Sequence, residues 1–342
     1  MKAKNIFYTV LFCIGVTGLS SLQAQDPHFS QYFSSPMTVN PALIGMGAED
    51  WRVMANFRSQ WWGGFVAPYN TTTVSLEKSI QSGGPQGKSN FGIGFSMLSD
   101  ASNNGLLKNN YFSLGTAYHI ALDAQGNEML GLGMEATYAN RLVDASKFEF
   151  QSQFGSMGFQ RSVPSGDPVN IVSNNYLDVN VGVRYSKKIP GKWGYHLGGA
   201  IYHASTPKDG VFANTTYTLN RRISLQGGTV FYLTNQDEIH TSLLTDIQGE
   251  NTIYTLGGVY KAKIKSSILE HLNLGLWNRF GDALYPYVGL EGKNWAIGFT
   301  YDAVIDSQLK NSYSSVQSME FSLVWYLKST RKTRIRENEI MY

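Results

Sequence analysis

The chain has 342 residues, one cysteine (Cys13) and a formal charge of +3, two units of which come from Lys2 and Lys4. That balance leaves no basic surplus for a nucleic-acid partner, and one cysteine excludes both a disulfide framework and a thiolate metal site. Aromatics reach 13% while charged residues stay at 15%, and mean hydropathy is −0.21; this suits a soluble β-protein or a membrane barrel whose polar lumen offsets an apolar exterior.

Lys2 and Lys4 followed by an apolar stretch over residues 6–16 and by Leu22-Gln23-Ala24 predict a secretory signal peptide over residues 1–24. The apolar stretch is short for a membrane helix. Cys13 lies inside it behind the bulky Phe12, which excludes lipidation and leaves the exported chain without cysteine.

Residues 25–50 read as neither strand nor helix. Pro27, Pro36 and Pro41 remove backbone donors and restrict the residues before them. Yet Phe29, Tyr32, Phe33, Met37, Leu43 and Ile44 require burial, which disfavours a disordered linker. The expectation is a non-regular segment docked at the periplasmic side of a barrel.

From Arg52 onward, apolar and small or polar residues alternate over stretches of about ten, as in Leu177, Val179, Val181, Val183 and Tyr185 against Asp178, Asn180, Gly182 and Arg184. Successive side chains of a strand face opposite sides, so each stretch has one lipid-compatible face. Fourteen segments follow, at 51–60, 70–79, 90–99, 108–121, 128–142, 176–188, 193–204, 220–234, 238–248, 252–264, 270–281, 283–291, 294–303 and 316–328. They predict an all-β fold, a transmembrane antiparallel barrel over residues 51–328, in preference to a soluble sandwich.

Connection lengths agree. The connections at 123–127, 188–192, 235–237 and 292–293 are short, with 80–89 and 265–269 longer; the opposite set includes 143–175, 205–219 and 304–315. Short turns on one side and long loops on the other place both termini in the periplasm. Trp61, Trp62, Trp193, Trp277, Trp295 and Trp325 are candidates for interfacial girdles, with ordinary packing as the alternative. Residues 266–271 look weakly helical. The loop 143–175 is a candidate partner contact or a lid over the mouth. The tail 329–342 is a solvated periplasmic tail or a docking peptide.

Chemistry is sparse. The six histidines fall one per segment without metal-ligand spacing, and His203-Ala204-Ser205 does not form a ready dyad. No cofactor, metal site or catalytic group is expected. Gly92-Ile93-Gly94 and Gly131-Leu132-Gly133 lie within strands and read as small lumen-facing positions that let the wall curve or another segment approach. Glu135, Arg141, Asp178, Arg184, Arg279, Glu291, Asp302 and Glu320 fall on lumen faces; their mixed signs suit internal ion pairs or a docked plug, or simply a hydrated lumen.

Asp26-Pro27-His28-Phe29-Ser30-Gln31-Tyr32, then Pro36, Asn40-Pro41-Ala42 and Gly45, resemble the N-terminal signature of the PorP/SprF family of outer-membrane proteins, part of the type IX secretion system and gliding motility machinery of Bacteroidetes. Arg58, Gln60 and Trp61 resemble that family's R-x-Q-W element, and Tyr301-Asp302 and residues 319–323 extend the match along the chain. The resemblance implies a fourteen-stranded outer-membrane barrel without enzymatic activity. It implies as partners outer-membrane lipid, an adhesin-like secreted surface protein with a C-terminal sorting domain, and periplasmic components of the same system. A passive or substrate-specific transporter is the alternative, and an outer-membrane hydrolase a further one.

Overall fold

In the computed structural model the described residues are 26–46, 51–62, 67–83, 89–144, 147–166, 173–212, 215–233, 236–305 and 317–327. The predicted leader and tail, 1–24 and 329–342, lie outside them. The barrel strands are β1 (Trp51–Trp62), β2 (Tyr69–Gly83), β3 (Ser89–Ser102), β4 (Leu107–Ala121), β5 (Glu128–Val143), β8 (Ser173–Ile189), β9 (Trp193–Tyr202), β12 (Arg222–Tyr232), β13 (Glu238–Gln248), β14 (Asn251–Lys263), β15 (His271–Arg279), β16 (Ala283–Glu291), β17 (Trp295–Val304) and β18 (Gln317–Leu327). These fourteen pair antiparallel in chain order, and β1 closes on β18. The fourteen predicted segments correspond one to one with them.

The period-two pattern explains the pairing. Leu114, Leu132, Met134, Leu177, Val183, Leu225 and Leu276 stand exposed on the outer face, as a lipid-facing wall requires. Their neighbours in sequence turn inward, where Arg52, Arg58, Glu77, Glu135, Asp302 and Glu320 are buried. A closed sheet leaves no unpaired edge, the condition for spanning a bilayer with strands.

Both ends of the barrel can be told apart from the connections. Chain entry into β1 and exit from β18 share one end, here the closing end, with turns such as 190–192 and 292–294. The opposite, long-loop end carries the connections from β5 to β8, β9 to β12 and β17 to β18. Two small hairpins lie within the first two: β6 (Phe154–Gly155) with β7 (Gly158–Phe159), and β10 (Lys208–Phe212) with β11 (Thr215–Thr218).

Three expectations need correction. Residues 264–270 form a bend, and His271 opens β15, so no helix forms at 266–271. Trp277 is not an interfacial residue: it is fully buried inside the barrel, because the inward parity of β15 runs through Asn273, Gly275, Trp277 and Arg279. The segment read as neither strand nor helix does contain short helical turns. It holds three single-turn 3-10 helices, at Tyr32–Ser34, Pro36–Thr38 and Pro41–Leu43, two of them opened by proline. Proline suits a first turn, where its missing donor is not needed.

Candidate functional site

The candidate site is the segment 26–46, which lies in the barrel lumen. It is not confined to the closing end, where the expected periplasmic docking would put it. Asp26 bonds to His203, just beyond β9, and to Gln248 at the end of β13, both at the long-loop end. The segment then descends until the Ile44 carbonyl meets His119 Nε2 at 2.9 Å and Gly45 N donates to Glu77 Oε2 at 2.8 Å, in the half nearer the closing end. Its path therefore runs most of the lumen's length. The reason is visible in the wall, which offers partners at every level.

Steric fit is the first of these. The segment passes so close to β3, β5 and β8 that a Cβ added at Gly92 or Gly133 would collide with the backbone of Ile44 or Pro41, and one added at Gly182 with the Asn40 side chain. Gly115 and Gly298 face Ile44 and Gln31 in the same way. Gly92 and Gly133 are among the glycines read from the sequence as letting the wall curve or another segment approach, and the approach of this segment is what they admit.

Aromatic packing is the second. Tyr32 and Phe33 insert against Trp277, with ring centroids 5.5 and 5.8 Å away, and Phe33 meets Tyr287 edge-on at 5.2 Å. Val39, Leu244, Val259 and Tyr285 complete this buried cluster. An apolar core therefore sits inside the barrel, amid inward faces that are otherwise small or polar. Fully burying each such side chain contributes about 1.5–3 kcal/mol, and Tyr32 Oη also donates to Ser242 at 2.7 Å.

A buried polar network is the third. The Glu320 carboxylate accepts from Ser30 N at 2.7 Å, Gln31 N at 2.9 Å and Asn56 Nδ2 at 2.8 Å. Asp302 accepts from Ser30 Oγ, Arg58 and Arg279, and Arg58 also donates to the His28 carbonyl at 2.6 Å. Lower down, Asn40 Nδ2 donates to the Val183 carbonyl and to Gln226 Oε1, both at 3.0 Å, while its own Oδ1 caps the turn at Ala42 N. Arg52 and Glu77 pair at 2.7 Å beneath Gly45. Buried charges are tolerable only when paired and hydrogen-bonded; here the segment supplies part of that pairing.

The upper anchor is electrostatic. His203 lies between Asp178 (Nδ1 to Oδ2, 2.6 Å) and Asp26 (Nε2 to Oδ2, 2.8 Å), and Arg222 Nε stands 3.3 Å from Asp26. Burial works against the charged imidazole, but the two carboxylates outweigh it and raise His203 to about 9. Burial likewise opposes the Asp26 carboxylate, and the His203 and Arg222 charges overcome it and hold the group well below its ordinary range.

The signature residues thus divide. Asp26, Ser30, Gln31 and Asn40 make the polar bonds; Phe29, Tyr32, Pro36, Pro41 and Ala42 are buried; Pro27 lines a cavity of about 70 Å³ beneath the mouth; Gly45, at φ +70°, turns the chain toward β1. That cavity has room for a few waters. Of the second motif, Arg58 belongs to the network, and the Gln60 carboxamide lies against its guanidinium and accepts from it when the amide is turned with the oxygen toward Arg58. Trp61 does not join them. It sits at an irregularity in the β1–β18 register with φ +62°, exposed and edge-on to Tyr69. Sequence reading missed Asn56, Arg52, Glu77 and Arg222; all four follow from inward parity, the first three in β1 and β2 and Arg222 in β12. Over the mouth, the β10–β11 hairpin is tied down by Asp209, which pairs with Arg141 at 2.6 Å and accepts from Asn174 at 2.9 Å.

Among known families, the model described as "Type IX secretion system membrane protein PorP/SprF" matches residues 21–325. No curated protein matches the chain. Similar solved structures include the Ralstonia pickettii toluene transporter TbuX (12% identity, TM-score 0.47, 85% of this chain and 92% of that one) and a Pseudomonas aeruginosa FadL homologue (12%, 0.46, 83% and 91%). The KdgM porin is similar at 8% identity and TM-score 0.37, over 80% of this chain and 99% of that one. Likenesses this distant say nothing about cargo.

Proposed function

The chain belongs to the PorP/SprF family of type IX secretion system membrane proteins, and on that premise we propose that it is a plugged outer-membrane barrel that serves a secreted surface protein. It does so without catalysis and without conducting a solute. The observation that carries this reading is the segment 26–46, held in the lumen by steric fit, aromatic packing, hydrogen bonds to buried carboxylates and the Asp26 ion pairs together. A barrel filled in this way acts through its two rims.

The closing end, with its shorter turns, faces the periplasm and other components of the secretion system; the long-loop end faces outward. The outward rim offers the β6–β7 hairpin, where Phe154 and Met157 are 57% and 89% exposed. That apolar tip suits contact with an adhesin-like partner bearing a C-terminal sorting domain. Deleting the gene and comparing surface proteomes tests the proposal. One or a few large surface proteins are expected to be lost from the cell surface or released to the medium. An unchanged surface proteome overturns it.

A further inference from the structure

The β1–β18 pairing differs from every other seam of the barrel. Each of the others joins strands that are neighbours in the chain's order around the barrel, whereas this one joins the first strand to the last. Arg58 stands opposite Glu320 and Asn56 opposite Ser322 in its register. Bringing such distant strands together carries the largest loop-closure cost in the fold.

Residues 28–31 lie across this seam. Gln31 O accepts from Asn56 Nδ2 at 3.5 Å and His28 O from Arg58, both on β1, across sequence separations of only 25 and 30. The same short stretch reaches β18 and β17 across separations of 269 to 291. Ser30 N and Gln31 N donate to the Glu320 carboxylate, Gln31 Nε2 donates to the Glu320 carbonyl at 3.0 Å, and Ser322 Oγ donates to Gln31 Oε1 at 2.6 Å. Ser30 Oγ reaches Asp302 on β17 at 2.8 Å. Glu320 and Arg58 are both fully or nearly fully buried, at 0% and 2% exposure. Their side chains stand on opposite strands at the seam, so Glu320 has its full donor set only when segment, β1 and β18 are together.

We infer that residues 28–31 template barrel closure: they bind β1 early, across a short loop, and then capture β17 and β18, so that the last seam forms on the segment. The local contacts close first because their entropic cost is smaller. The backbone donors of Ser30 and Gln31 then present a ready site for the Glu320 carboxylate arriving from the far end of the chain. The segment is thereby an assembly element as well as a plug.

The chain from residue 25 onward contains no cysteine, which permits a direct test. Phe57 and Phe321 are register partners across the seam, both on the outer face; Leu243 and Leu256 are register partners of β13 and β14, also on the outer face. Antiparallel partners have Cα separations within disulfide range. A seam reporter (Phe57→Cys with Phe321→Cys) and a control reporter (Leu243→Cys with Leu256→Cys) are refolded from urea into lipid vesicles, and disulfide formation is followed by non-reducing gel. Ser30→Pro, which removes one donor to Glu320, and Gln31→Ala are expected to slow the seam reporter at least about tenfold while leaving the control reporter unchanged. Asn40→Ala, which loosens the segment far from the seam, is expected to leave both rates unchanged. If Ser30→Pro and Gln31→Ala slow neither reporter, or slow both alike, the segment does not template closure.

Discussion

His203 shows how a single residue can hold a function that its sequence position hides. Alternation along β9 turns the even-numbered residues, such as His196 and Tyr202, inward, so residue 203 should point outward. The strand ends at Tyr202, however, and His203 takes φ +56°, which re-aims the ring to bond Asp26 and Asp178. Its partner Asp26 lies 177 residues away, so no local spacing announces the pair. The anchor has a definite pH dependence. A histidine raised from 6.5 to about 9 contributes its full stabilisation below pH 6.5 and loses it as the pH rises through about 9. Asp26, held low, contributes above its ordinary range near pH 4 and fails only in acid. The anchor is therefore strongest at about pH 4–6.5 and weakens by at most about 3 kcal/mol on going to alkaline pH. Arg222 still faces Asp26 there and retains part of the hold. Hydrogen exchange checks this. After correction for intrinsic rates, amides of residues 28–31 are expected to exchange faster at pH 9.5 than at pH 6.5, those of residues 42–46 equally at both. His203→Gln should remove the difference.

At the scale of elements, strands and plug were legible to different degrees for a physical reason. A strand repeats every two residues, and lipid on one side makes that repeat visible, so fourteen strands could be read directly. The plug's conformation has no repeat. Its 3-10 turns are dictated by the wall around it: Asn40 caps a turn with Oδ1 while its Nδ2 binds β8 and β12, contacts 143 and 186 residues distant. What the sequence did reveal was the negative image of the plug, the glycines of β3 and β5. Those glycines make a clean experiment. Gly133→Val puts atoms within 3 Å of Pro41 and Ala42 backbone, which cannot retreat as a flexible side chain could. Overpacking of this kind costs about 1–3 kcal/mol or more, and it falls on the plug rather than on the strand pairing of β5. Gly133→Val is expected to yield a folded, heat-modifiable barrel whose residues 26–46 become sensitive to proteinase K. Gly199→Val, where the nearest side-chain atom, Leu225 Cδ2, lies at an ordinary 3.5 Å, should leave the segment protected.

For the whole molecule, the decisive question is whether the barrel conducts. A fourteen-stranded barrel is wide enough to pass solutes when empty, and the inward faces here carry Arg52, Arg58, Arg184, Arg222 and Arg279 against Glu77, Glu135, Asp178, Glu291, Asp302 and Glu320. An emptied lumen would thus be wide and close to neutral, polar over most of its wall with one aromatic patch around Trp277, Tyr285 and Tyr287. The segment removes that space by bonding across the lumen, from β13 and β15 on one side to β3, β5 and β8 on the other. The wall charges are then spent on the plug and on one another instead of on passing ions. In planar bilayers the intact chain is accordingly expected to show no stepwise conductance at neutral pH. The Gly92→Val/Gly133→Val variant should show steps with weak preference between cations and anions, since the exposed charges nearly balance. Steps of equal size from both proteins would mean that ions pass beside the segment, and the barrel would then be a transporter that happens to carry a docked strand of its own chain. Silence from the intact chain with steps from the variant separates the two readings, because a transporter needs its path open in the native state, whereas a component acting through its rims needs it shut.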